Sequence, residues 1–257
     1  MNTKLTLAAL CLLPLSTQFA MAEEAPEQSA YTMSAELGFL FKSGNTKSGD
    51  IKAGFNLKHE QEQWLSSFAI NAIAKKLEKK NETTNEKDFV TTDNKWDIAA
   101  QTNYSLEAEG KNYLYGSASY QQDKFSNFSS QSSLSVGWGR KWHETKTSSF
   151  FADIGPGVTH DVERTVAEDS NTNMIIRAQA LYTNQINDFV EFQQQFIAKQ
   201  AVDSDKNSTY KAETSITTKL IESLQFKFSL RVDYDTEVAP EFENTNTETS
   251  VTLVYSF

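Results

Sequence analysis

The last eleven residues of the chain alternate without a break. Thr247, Thr249, Val251, Leu253, Tyr255 and Phe257 fall on one side of an extended strand, and Glu248, Ser250, Thr252, Val254 and Ser256 on the other. The segment before it repeats the pattern more strongly: Leu224, Phe226, Phe228, Leu230, Val232 and Tyr234 alternate with Gln225, Lys227, Ser229, Arg231 and Asp233. A soluble sandwich can hide one such face against a second sheet, but globular strands average only about 5–6 residues. A strand tilted across a bilayer takes about 9–11. Strands of this length and pattern predict a barrel with one face in hydrocarbon and the other in a polar lumen.

The same period recurs along the chain. Tyr31, Met33, Ala35, Leu37, Phe39 and Phe41 mark a first strand, followed by strands around Ile51–Leu57, Trp64–Ala72, Trp96–Leu106, Asn112–Gln122 and Leu134–Trp142. Further strands run at Phe150–Val158, Met174–Tyr182, Val190–Ala198 and Tyr210–Leu220. With the last two this gives an all-β, antiparallel up-and-down transmembrane barrel of about 12 strands, an even number as in bacterial single-chain barrels. The facing of the Asn112–Gln122 strand is ambiguous, because Tyr113 and Tyr115 compete with Leu114, Ala118 and Tyr120. Short connections, such as Glu60–Gln63, Glu107–Lys111 and Ile221–Ser223, alternate with mostly longer ones at Lys75–Asn94, Asp123–Gln131, His160–Thr172, Lys199–Ser208 and Thr236–Asn246. Tight periplasmic turns and long outer loops sort in this way. Trp64, Trp96, Trp142, Tyr31, Tyr104, Tyr182, Tyr234 and Tyr255 lie towards strand ends and suit membrane–water girdles. The mean hydropathy of −0.52 does not oppose a membrane location, since lumen-facing residues offset lipid-facing ones.

The N-terminus reads as a secretory signal. Lys4 precedes a short apolar stretch, Leu5 to Leu15, and Ala20-Met21-Ala22 offers a small-x-small cleavage site. Cleavage after Ala22 leaves a short periplasmic segment, 23–30, and a barrel at 31–257, and removes Cys11, the single cysteine. The exported chain then has no route to a disulfide or a thiolate metal site.

Several short motifs in order carry a family likeness: Ser43-Gly44-Asn45-Thr46, Tyr113-x-Tyr115-Gly116, Tyr120-x-x-Asp123-Lys124-Phe125, Gly137-x-Gly139 and Gly155-Pro156-Gly157. Through them the chain, from about Met33 to Phe257, resembles the salt-induced outer-membrane protein family, also designated domain of unknown function 481. The resemblance implies an outer-membrane barrel with a link to salt or osmotic stress, and it brings no catalytic residues. Taken locally, Gly155 and Gly157 around Pro156 suit a strand bend or bulge near a rim. The terminal aromatics Tyr255 and Phe257 resemble the signal that barrel-assembly machinery recognises.

Chemistry is sparse. Among His59, His143 and His160, none has a serine two residues on; the partners there are Gln61, Thr145 and Val162. His160 alone has acids near it in sequence, Asp153, Asp161 and Glu163, and anchors the alternative reading of a lipid-modifying enzyme. A P-loop, metal-ligand spacing and a dinucleotide motif are all missing, so no cofactor and no catalytic or metal residue is expected. The inward positions are predicted to line the lumen with mixed charge: the acids Glu36, Asp97, Asp153, Glu191, Glu213, Asp233 and Glu248, and the bases Lys52, Lys58, Lys141, Arg177, Lys199, Lys211, Lys219, Lys227 and Arg231. Such a lining serves either a narrow selective pore or a salt-bridged filling. The outer loops carry acids at Asp161, Glu163, Glu168, Asp169, Glu237, Glu241 and Glu243, and one basic cluster, Lys75, Lys76, Lys79 and Lys80, suited to lipopolysaccharide phosphates. The net charge of −10 excludes nucleic acid as a partner class. Expected partners are outer-membrane lipids, lipopolysaccharide and the assembly machinery. The expected activity is a narrow channel or an envelope-stress barrel, with a purely structural or adhesive barrel as a further alternative.

Overall fold

A computed structural model describes residues 31–43, 48–80, 87–107, 110–124, 126–164, 170–240 and 242–257, without the side chains of 40–50 and 75–93. The signal sequence read at 1–22, the segment 23–30, the Gly44-Asn45-Thr46 motif, Phe125, and the loop acids Glu168, Asp169 and Glu241 lie outside the described residues. So do the side chains of Lys75, Lys76, Lys79 and Lys80.

Twelve antiparallel strands form one closed barrel: β1 (Tyr31–Ser43), β2 (Ser48–Gln61), β3 (Trp64–Lys80), β4 (Lys87–Ser105), β5 (Asn112–Asp123), β6 (Phe128–Glu144), β7 (Ser148–Glu163), β8 (Ser170–Gln185), β9 (Val190–Ala201), β10 (Thr209–Lys219), β11 (Leu224–Asp235) and β12 (Thr245–Ser256). Each strand pairs with its neighbours in sequence, and β1 pairs with β12 from Ser34↔Ser256 to Ser43↔Thr247. Closure is what the apolar exterior demands, because hydrocarbon offers no partner for an unpaired edge.

Alternation places the bulky apolar residues outside. Leu37, Phe39, Leu134, Val136, Met174 and Ile154 are among the exposed residues of a belt that runs round the whole wall. A belt of this extent on a soluble protein would be an aggregation surface. Aromatic pairs mark its two borders. At the inner end Trp64 packs on Tyr104 (4.9 Å between ring centroids), Tyr31 stacks on His59 (4.2 Å) and Tyr255 lies by Phe257 (5.8 Å). At the outer end Trp96 packs on Tyr120 (5.0 Å) and Tyr210 on Tyr234 (6.2 Å). On β11, ten residues separate Tyr234 from Leu224, the partner of Tyr255. At about 3.3 Å per residue and a tilt of about 40°, that is a height of about 25 Å, the thickness of an outer-membrane apolar band.

Three sequence expectations change, and the open facing of β5 is resolved. The outer connection placed at Lys75–Asn94 is mostly strand, since β3 continues to Lys80 and β4 starts at Lys87, with a register shift between Lys75 and Lys76. Likewise β7 runs on to Glu163 and β8 begins at Ser170, so Asp161 is a buried inward strand residue and not a loop acid. Above the bilayer both faces meet water, and the hydrophobic alternation that betrays a strand fades there. In β5, Tyr113 and Tyr115 turn inward and are buried, leaving Leu114 and Tyr120 outside. Around Pro156 there is no bulge. Ser135↔Gly157 and Trp138↔Ile154 keep one register, and the irregularities of the β6–β7 hairpin lie between Phe128 and Ser130 and between Lys141 and His143. The glycines answer to close approach instead: a Cβ on Gly155 would stand 2.1 Å from the Val136 carbonyl oxygen.

Candidate functional site

The lumen is where the polar chemistry collects. Alternation turns Glu36, Lys52, Lys58, Asp97, Asp153, Arg177, Glu191, Lys211, Glu213, Lys227, Arg231 and Asp233 to the interior, each on the face opposite the belt. Most of them are drawn into three hydrogen-bonded groups.

In the first, Lys95 of β4 meets Glu248 of β12 at 3.0 Å and Asp233 of β11 at 3.7 Å, and Arg231 Nε donates to Asp233 at 3.0 Å. Three strands stand between β4 and β12 by the shorter way round. In a circular twelve-strand barrel of ordinary spacing and tilt, backbones that far apart lie about 21 Å across, longer than a lysine and a glutamate laid end to end. The cross-section is therefore flattened at this level. Lys95 and Glu248 are nearly inaccessible, 3 % and 6 % exposed.

The second group surrounds Asp153. Arg177 Nη1 donates to it at 2.7 Å, Gln101 Nε2 at 3.2 Å and the Tyr113 hydroxyl at 3.4 Å. Arg177 also donates to Gln101 Oε1 across the lumen at 3.0 Å, donates to Gln179, and lies 5.0 Å over the Tyr115 ring. The rings of Tyr113 and Tyr115 fit because Gly139 and Gly137 lie beneath them: a Cβ there would come within 2.3 Å of Tyr113 and 2.7 Å of Tyr115. In the third group Lys227 contacts Glu36 at 3.3 Å and Glu213 at 3.8 Å, while Asn56 also donates to Glu36. Asp97 accepts from Asn71 at 3.0 Å.

Two lumenal lysines meet neutral oxygens. Lys199 donates to the Ser119 and Ser133 hydroxyls at 3.0 and 2.8 Å, and Lys211 donates to Gln121 Oε1 at 2.9 Å with four strands of the wall between them. Lys52, Lys58 and Glu191 enter none of these groups; Lys58 contacts Glu60 at 3.8 Å near the inner rim.

The interior is packed unevenly. Inward residues of β5 to β8, including Tyr113, Tyr115, Asp153, Ile175 and Arg177, are buried. Inward positions of β2 to β4 include the small residues Gly54, Ser67, Ala69 and Ala99, and Ser67 and Ala99 are exposed to solvent. The outer mouth is spanned as well. Asn127, between β5 and β6, accepts at Oδ1 from the amide of Ala239, between β11 and β12 on the opposite side of the ring, at 3.0 Å. Asn207 donates to Asp235 at 3.0 Å and accepts from the Glu237 amide at 3.2 Å, tying a third loop to this span.

Outside the membrane belt, in the loop after β9, Asp203 and Asp205 share a hydrogen bond that raises the first carboxyl above its usual range and lowers the second. His160 faces outward and bonds Thr172 Oγ1 at 2.8 Å, whereas Asp153, Asp161 and Glu163 turn inward; alternation separates what sequence proximity had grouped. His143 contacts Ser148 at 2.9 Å in the exposed β6–β7 turn. Among the described residues no cluster of His, Cys, Asp and Glu could hold a metal.

The sequence reading omitted Lys95, Asp161 and Asp235 from the lumen. Lys95 shares the inward parity of Asp97 and lies just before Trp96, where the apolar alternation of β4 begins although the strand itself starts at Lys87.

Against known proteins, the profile of the family described as "Protein of unknown function, DUF481" matches residues 35–257. The chain belongs to this family. A DUF481 relative, the uncharacterized protein YdiY of Escherichia coli K12, is 25 % identical over 241 residues, covering 92 % of this chain and 87 % of YdiY. Solved structures share the fold at low identity. The NanC porin superposes with a TM-score of 0.51 at 12 % identity, covering 86 % of this chain and 98 % of NanC. The translocator domain of the autotransporter NalP from Neisseria meningitidis gives 0.53 at 8 %, covering 90 % of each chain. The COG4313 outer-membrane channel from Pseudomonas putida F1 gives 0.50 at 8 %, covering 93 % of this chain and all of that one. This DUF481 chain thus has the barrel architecture of outer-membrane proteins whose tasks differ.

Proposed function

We propose that this protein resides in the outer membrane, after export by the signal at 1–22, as a narrow water-filled conduit for small ions. The observation that carries this reading is the uneven lumen. One wall is packed by Tyr113, Tyr115 and Arg177, while Ser67 and Ala99 on the other keep solvent access beside it. Bridges such as Lys95–Glu248 and Lys211–Gln121 limit the free width, so the conduit admits ions and water and excludes large solutes. The span between Asn127 and Ala239 narrows the outer mouth further. A role in salt or osmotic stress, implied by the family resemblance, is consistent with a small mixed-charge pore.

On this reading the protein is not an enzyme and needs no cofactor. His160 sits on the outer wall with Thr172, apart from the acids a hydrolase would use to orient it. Tyr255 and Phe257 form the terminal contact offered to assembly machinery, and lipopolysaccharide meets the outer loops.

Planar-bilayer recording of the purified barrel tests the proposal. Small discrete conductance steps are expected; silence under every salt gradient and voltage contradicts a conduit and leaves a filled, structural barrel.

A further inference from the structure

The exterior belt has one fully charged side chain among its described inter-rim positions. On β6 the outward residues run Leu134, Val136, Trp138, Arg140 and Trp142. Outward positions elsewhere between the rims carry apolar, small or uncharged polar side chains and histidine. An arginine on the outer wall of a barrel is costly in hydrocarbon and calls for a partner.

Among the described residues its surroundings supply none. Arg140 Nε is buried without a hydrogen-bond acceptor. The guanidinium lies 5.3 Å over the Trp142 ring, and among the described residues no carboxylate pairs with it. Of the described acids at the adjoining turns, Glu107 accepts from Asn112 at 2.6 Å and Glu144 contacts Lys141 at 3.3 Å.

Height decides what the partner is. Trp142 is the exposed ring of β6 nearest the turn at 145–147, the same strand-end position that Trp64 and Tyr104 hold in the pair marking the inner border. Arg140 lies two residues into the belt from that ring, and its guanidinium sits over the Trp142 face on the border side. This is the level at which an arginine with its stem on the belt reaches lipid phosphates. We propose that Arg140, framed by Trp138 and Trp142, binds the phosphodiester of a glycerophospholipid in the inner leaflet, whose acyl chains lie along Leu114, Leu134 and Val136. Lipopolysaccharide is excluded by position, since it occupies the opposite rim. The inference requires the barrel to span a bilayer, not to conduct.

Native mass spectrometry of the folded protein in a neutral detergent reads the site directly. With dioleoylphosphatidylglycerol as the probe, the wild type retains one lipid that dioleoylglycerol, lacking the phosphate, does not replace. Arg140→Gln lowers the retained fraction about fivefold, the weight of one arginine at a membrane surface. Heat-modifiable gel migration checks that the variant folds, and the wild-type comparison of the two lipids stands if it does not. Equal retention of both lipids, equal retention by Arg140→Gln, or displacement by millimolar inorganic phosphate overturns the proposal.

Discussion

Lys95 and Glu248 meet across the lumen at 3.0 Å although three strands of the wall stand between them. Both are buried, with Asp233 as a second acid 3.7 Å from the lysine. Removing one partner leaves the other's buried charge less well compensated. Lys95→Met is expected to lower unfolding stability in lipid vesicles by about 3 kcal/mol, read from urea midpoints. The double variant Lys95→Met/Glu248→Gln should lose less than the sum of the two single losses, because each single variant already removes the Lys95–Glu248 contact. Additive losses would mean the pair is not formed.

Gly139 and Gly116 give a paired test of lumen packing. A Cβ on Gly139 would enter the Tyr113 ring at 2.3 Å, whereas one on outward Gly116 meets nothing within 4 Å. Gly139→Ala should cost about 1–3 kcal/mol by displacing that ring. Gly116→Ala should stay within about 0.5 kcal/mol of wild type. The same urea titration measures both.

The open side of the lumen predicts where to block it. Ala99→Trp fills the space beside Ser67 and should reduce single-channel conductance severalfold while leaving the heat-modifiable gel shift intact. Unchanged conductance would place the ion path elsewhere.

The latch at the outer mouth should act in the opposite direction. Asn127→Ala frees the Ala239 amide and the span it anchors. Larger or more frequent open steps are expected in planar bilayers.

Lys199 and Lys211 are lumenal cations hydrogen-bonded to neutral oxygens. Replacing both by methionine should shift the reversal potential in a salt gradient towards cation preference.

The belt was legible in the sequence because hydrocarbon imposes one rule on every outward position, as Leu224 to Tyr234 shows. Inward positions obey no such rule. Tyr113 and Tyr115 look like belt aromatics, and only the small Gly137 and Gly139 on the neighbouring strand make room for them inside. The ends of β3 and β4 escaped because strands above the bilayer meet water on both faces. Pairs such as Lys95–Glu248 or Arg177–Gln101 depend on how far the closed wall is flattened, which no stretch of sequence records. The charges of the lumen could be named from parity; their partners could not.

The most direct test of the account is a spin-label scan along β11 in lipid bilayers, reading access to oxygen and to a water-soluble relaxant. Labels at 224, 226, 228, 230, 232 and 234 should be oxygen-accessible, and those at 225, 227, 229, 231 and 233 should not, tracing the period of a wall with hydrocarbon on one side. Uniform access along the strand, or a phase placing Lys227 and Arg231 in the oxygen-rich environment, would contradict a membrane-spanning barrel with this lumen.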